Sequence, residues 1–264
     1  MPMKQGLTQI TALTLIVMGL LSGCVSERTY SGTDVPVAEK EFDGESAARQ
    51  RAQLGLTYLQ KGNSQQAKYN LDKAVEYAPD LEAVHVSMAY YYQTVGELEN
   101  AEASYRKAIR TSDASGDAMN NFGVFLCQQE KYKQSEEMFL KAVRMPKYTR
   151  SASSYENLGI CSRKAGQLDK AKRYFATALK YDPRRQVTLI ELTEIDVETG
   201  DYLNARAQLV RYHRVVAESA ESLTLGIKIE QGLNDLDAAR KFGILLLAKF
   251  PASIEAKLYR ASMH

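Results

Sequence analysis

The chain has 264 residues, with 34 basic against 32 acidic side chains and a formal charge of +2. That balance excludes a globally charged chain built to bind nucleic acid or an acidic surface. There is no tryptophan, there are only six prolines, and the remaining composition favours helices in one large domain or an extended array.

The N-terminus comes first. Lys4 gives a weak positive start, and residues 7–21 form an apolar run with no Asp or Glu in the first 23 positions. A membrane span needs roughly 20 apolar residues, so this run is short for one and suits a secretory leader that is removed. The boundary Leu21-Ser22-Gly23-Cys24 resembles a bacterial lipobox. Small residues fit a narrow protease site, and the thiol is the nucleophile that takes a lipid. The resemblance implies cleavage after residue 23 and acylation of Cys24, with no other cofactor. Each buried CH₂ adds about 0.8 kcal/mol of membrane retention, so three acyl chains anchor stably. Val25 stands where an inner-membrane lipoprotein commonly carries Asp, which favours the outer membrane, facing the periplasm. Residues 24–47 then read as a polar, flexible tether with Gly, Pro, Ser and Thr and no apolar stripe.

From residue 48 the chain repeats itself. "LGLTYLQKGNSQQAKYNLDKAVEYAPD" (54–80) aligns with "MAYYYQTVGELENAEASYRKAIRTSD" (88–113) and "LGICSRKAGQLDKAKRYFATALKYDP" (158–183). One small-residue column holds Gly55, Ala89, Gly123, Gly159, Thr193 and Gly226. A second holds Ala67, Ala101, Ser135, Ala171, Ala205 and Ala238; both step by 34, 34, 36, 34 and 33 residues. A third runs Ala74, Ala108, Ala142, Ala178 and then departs to Tyr212 and Leu245. A period near 34 resembles the tetratricopeptide repeat, a helix-turn-helix unit. Short side chains let two antiparallel helices approach, and Gly62, Gly96, Gly166 and Gly200 punctuate the turns. The expected fold is all-α: a right-handed superhelical solenoid of six repeats at 48–81, 82–115, 116–151, 152–185, 186–218 and 219–253. Residues 254–264 would cap it, and the degenerate fifth and sixth repeats fit an end with altered packing.

Catalytic constellations are missing from the sequence. There is no phosphate loop after a strand, no HExxH, no CxxC and no nucleophile elbow. His85 falls at a core position, while His213 and His264 are isolated. The reading is of a non-enzyme without a small-molecule substrate or nucleic-acid partner. Besides Cys24 the chain has Cys127 and Cys161. Export permits a disulfide, but the two occupy the twelfth place of repeat three and the tenth of repeat four. Two free thiols are therefore the expectation.

The repeat resemblance also implies a groove lined by first helices, reached by positions 2, 5, 9 and 12. These give Leu56 and Leu59 in repeat one, Val86 and Tyr90 in repeat two, and Val124 in repeat three. Asn121 and Asn157, sixth in their repeats, are candidates for bonding a peptide backbone. Such a groove suits a short helix or an extended peptide with apolar anchors. Glu156, Arg163 and Glu194 make the later repeats more charged. Ala52 and Leu56 replace the Lys and Asn of repeats that clamp a terminal carboxylate, which argues against that mode.

A lipobox leader, a tether and six repeats together resemble the type IV pilus biogenesis lipoprotein family, PilF/PilW. "MNNFGVFLCQQEKY" (119–132), "RSASSYENLGICSRKAGQLDKAKRYFATAL" (150–179) and "SLTLGIKIE" followed by "LLAKFPAS" carry the likeness, with the two-residue extension before repeat four. The resemblance implies a pilotin: an outer-membrane lipoprotein that binds secretin subunits and promotes their localisation and multimerisation, as needed for twitching motility. The alternative is another periplasmic scaffold for envelope assembly. No self-complementary patch is evident, so a monomer is expected.

Overall fold

The computed structural model of the chain describes residues 42–263. The leader, Cys24 and most of the tether lie outside the described residues. Among these there are thirteen α-helices and no strand. The pairs are α1 (Gly44–Gln60) with α2 (Ser64–Tyr77), α3 (Glu82–Val95) with α4 (Leu98–Ala108), and α5 (Gly116–Gln128) with α6 (Tyr132–Arg144). They continue with α7 (Ser151–Lys164) and α8 (Leu168–Tyr181), α9 (Gln186–Glu198) and α10 (Tyr202–His213), and α11 (Ala220–Gly232) and α12 (Leu236–Lys249). The unpaired α13 (Ile254–Ala261) closes the series.

Each hairpin turns at one left-handed residue. Gly62, Gly96, Gly166 and Gly200 have φ of +76°, +84°, +74° and +75°, a region open to glycine without steric cost. The other two turns put Glu130 (φ +58°) and Asn234 (φ +59°) in the same place. Caps fix several helix starts. Asn63, Asp201 and Asp235 accept from backbone N–H groups at the second helices they open. Ser115 and Ser253 cap α5 and α13, and Ser219 forms a reciprocal capping box with Ser222 at α11.

The small-residue columns mark where the two helices of a hairpin cross. Ala67, Ala101, Ala171 and Ala205 have no exposed surface, and neither do Ala74, Ala108, Ala142 and Ala178. Opposite the glycines sits bulk from the partner helix. A Cβ on Gly159 would lie 2.4 Å from the Phe175 ring, and one on Gly123 would lie 2.7 Å from Phe139. Ser135 is tolerated at its crossing because its hydroxyl donates to the Gly123 carbonyl at 2.7 Å. His85 is a buried packing residue, 2.6 Å from the Pro79 carbonyl, to which its ring N–H donates.

Candidate functional site: the groove of first helices

The curvature follows from which helices touch. First helices pack on first helices along the whole described array, from α1 on α3 to α11 on α13. The backbones of consecutive second helices stay apart and are bridged by side chains, as Arg106 Nη2 bridges to Gln134 at 3.4 Å. A row packed closely on one side and spread on the other bends, with first helices on the inner face.

The predicted groove residues divide. Tyr90 is 47% exposed and available to a partner. Leu56 and Val86 are half-buried, and Asn121 is exposed. Leu59 is only 7% exposed and belongs to the core formed by repeat one and α3. It therefore holds repeats together and does not face a ligand. Val124 packs against Cys127, Cys161 and Leu158. Asn157 donates to the Asn120 side chain at 3.1 Å, and Ser154 bonds the same oxygen at 2.8 Å. Asn157 thus links repeat three to repeat four. Glu156 is buried as well, clasped by Arg185 Nε at 3.0 Å and Nη2 at 2.6 Å, with the Thr188 hydroxyl at 2.7 Å.

The cysteine expectation is corrected. Cys127 and Cys161 form a disulfide between α5 and α7, with Cα atoms 5.8 Å apart. The two-position offset was the argument against pairing, and it is what permits it. Equivalent residues of stacked repeats point the same way, so facing side chains on neighbouring first helices must come from opposite sides. Two residues turn a helix by about 200° and supply that reversal.

Beyond repeat four the groove is carboxylate-rich. Arg163 Nη1 lies 2.7 Å from both Glu191 and Glu194, and its other arm reaches Glu198. Between α9 and α11 the groove opens into a cavity of about 560 Å³, with Ile190, Val197 and Leu225 in its lining and Tyr212 at one side. Smaller cavities of about 350 Å³ and 230 Å³ lie beside Cys161 and Lys170 and beside His85 and Lys107. Among the described residues no cluster of His, Cys, Asp and Glu is suited to a metal, and no helix is long and apolar enough to cross a membrane.

Tetratricopeptide repeat models match residues 51–81, 83–114, 116–145 and 152–185. The type IV pilus assembly protein PilF of Pseudomonas aeruginosa is 31% identical over 256 residues, covering 97% of this chain and 99% of that protein. This chain belongs to the PilF family. The solved structure of Pseudomonas aeruginosa PilF matches with a TM-score of 0.69 over 83% of this chain and all of that one. PilW, described as a widely conserved type IV pilus biogenesis factor, is 29% identical, with a TM-score of 0.68 over 80% of this chain and 97% of its own. An uncharacterised Haemophilus influenzae protein is 35% identical over 166 residues, 63% of this chain and 87% of its own. The chain is thus a type IV pilus biogenesis protein whose fold is a superhelical solenoid of tetratricopeptide repeats.

In this PilF-family solenoid, two features escaped the repeat pattern. Leu54, on the first repeat, is 41% exposed. The α9–α11 cavity appears where Tyr212 breaks the third alanine column. The break is plain in the sequence, but the hole beside it needs the packing.

Proposed function

We propose that the protein is a pilotin: anchored by a lipid on Cys24 to the inner leaflet of the outer membrane, it binds secretin subunits through the groove of repeats one to three and promotes their multimerisation. The observation that carries the reading is the match to PilF along nearly the entire length of both chains, leader region included. The groove adds a chemical reason. Tyr90, with Leu56 and Val86 beside it, offers an aromatic and aliphatic surface of the kind that takes apolar anchors of a peptide. A scaffold needs no reacting groups. Anchoring raises the local concentration of binder at one membrane and so lifts the apparent affinity without new contacts.

The test is capture of secretin from detergent-solubilised envelope, with the intact lipoprotein as bait beside a Leu56→Asp, Tyr90→Ala variant. Leu59 is left alone because its substitution would empty the core. Capture by the native protein and loss with the folded variant is the expected result. Equal capture by both would move the site off these repeats. Separately, a Cys24→Ala protein is expected to leave secretin rings misplaced or unassembled. Normal rings at the outer membrane would overturn the piloting role, and intact pili with a defective envelope in a deletion strain would favour a general envelope scaffold.

A further inference from the structure

We propose that the cavity between α9 and α11 is a second docking site, for a short peptide segment that carries a lysine or arginine beside an apolar side chain. The proposal is independent of the secretin reading and uses the opposite half of the array.

The cavity lies beside a break in the repeat rule. In four earlier repeats the equivalent position holds a fully buried alanine. At the fifth, Tyr212 stands there, packed against the cores on both sides. Tyr212 also lines the cavity, whose volume is about 560 Å³. That falls in the range of about 300–1,000 Å³ typical of ligand pockets.

The lining selects the occupant. Ile190, Val197 and Leu225 supply apolar surface. Around them stand Glu194 and Glu198 from α9, Glu221 from the first turn of α11 and Glu255 from α13, against the single cation Lys228. Arg163 does not redress this, since it is shared among Glu191, Glu194 and Glu198. Three carboxylates on one guanidinium leave an excess of negative charge at the cavity wall. The Glu221 carboxylate accepts from its own backbone N–H and from the Ser219 hydroxyl, which hold it below its usual pKa. Carboxylates gathered beside apolar walls, where water screens less than in bulk, favour an incoming cation and repel an acidic chain. A ligand satisfying both features pairs an ammonium or guanidinium with an adjacent aliphatic group. A basic peptide of mixed polarity does so; a nucleic acid does not.

The experiment is fluorescence anisotropy with full-length protein and a labelled eight-residue peptide alternating lysine and leucine, against its glutamate and leucine counterpart. The expected result is binding of the basic peptide that weakens with salt, and no binding of the acidic one. A Glu221→Lys, Glu255→Lys variant, both sites lining the cavity, should weaken binding at least tenfold, and Leu225→Ala should weaken it several-fold. Circular dichroism melts establish that the variants fold. The Leu56→Asp, Tyr90→Ala variant should bind this peptide normally. Loss with that variant would put the peptide in the N-terminal groove and overturn the assignment. So would equal binding by wild type and charge variant, equal binding of the acidic peptide, or no binding. Concentration-dependent dimerisation abolished by the charge reversal would overturn it too, since the occupant would then be a second copy of the chain.

Discussion

Single residues in this array do one of two jobs, and the difference fixes what substitution costs. Gly159 is held small by a neighbour: its added Cβ would meet the Phe175 ring at 2.4 Å, 2.5 Å and 2.8 Å. Phe175 is fully buried and cannot retreat, so Gly159→Ala is expected to lose about 1–3 kcal/mol by overpacking, read as a lower urea midpoint at unchanged slope. Alanine is otherwise the better helix residue by about 1 kcal/mol; a gain in stability would show that the contact yields. Glu130 is the reverse case. It occupies the left-handed turn position that four other repeats give to glycine, at a steric cost of about 1–2 kcal/mol. Glycine relieves that cost but frees the unfolded chain by about 0.4–1 kcal/mol. Glu130→Gly should therefore stabilise by about 0.5–1 kcal/mol, and a lowered midpoint would mean the side chain has a structural role. The glycine columns were readable because spacing repeats. The neighbour that enforces each glycine, and the turns that do without one, were not, because they depend on what lies across the hairpin.

At the scale of helices, the sequence mistook contacts between repeats for contacts with a ligand. Positions 5, 9 and 12 lie on the inner face, but they also border the next first helix. Leu59, Val124 and Glu156 are used there. Tyr90 remains exposed. Glu156 shows how much such a seam holds. Burial by itself would push its carboxyl up, but the Arg185 guanidinium and Thr188 hydroxyl outweigh burial and hold it below the usual range. A folded pKa below the unfolded value of about 4.3 means that the stabilisation is complete above that value. It is lost as pH falls through the depressed folded pKa. Glu156→Gln should accordingly cost about 1–3 kcal/mol at pH 7, because Arg185 loses its charged partner. Urea titrations at pH 7 and pH 3 check the sign: the gap between wild type and variant should narrow at the lower pH. A gap that is constant with pH would mean that shape, not charge, holds α7 to α9.

The described repeats form a row of neighbours, and their stability is close to a sum of hairpin and seam contributions. One seam differs in kind. Between repeats three and four the spacing lengthens to 36 residues, the linker includes Lys147 at φ +63°, and the disulfide Cys127–Cys161 closes a separation of 34 residues. A chain-entropy estimate for a loop of that length gives about 3–4 kcal/mol, an upper figure when the unfolded chain keeps some structure. That is a sizeable share of the roughly 5–15 kcal/mol typical of a folded protein. The Cys127→Ala, Cys161→Ala protein should still fold, since Phe139 and Leu158 remain packed around the site. Its thermal midpoint should fall, and wild type in reductant should fall with it. The loss should also be local. With the covalent link gone, the third seam keeps its packing but loses its cross-link, so the helices it joined should open more readily than the rest. Hydrogen exchange reads this directly: amides of α5 and α7 should lose protection more than those of α1 and α11. Uniform loss along all helices would mean that the bond stabilises the array only globally. An unchanged midpoint would mean that packing alone holds repeats three and four together.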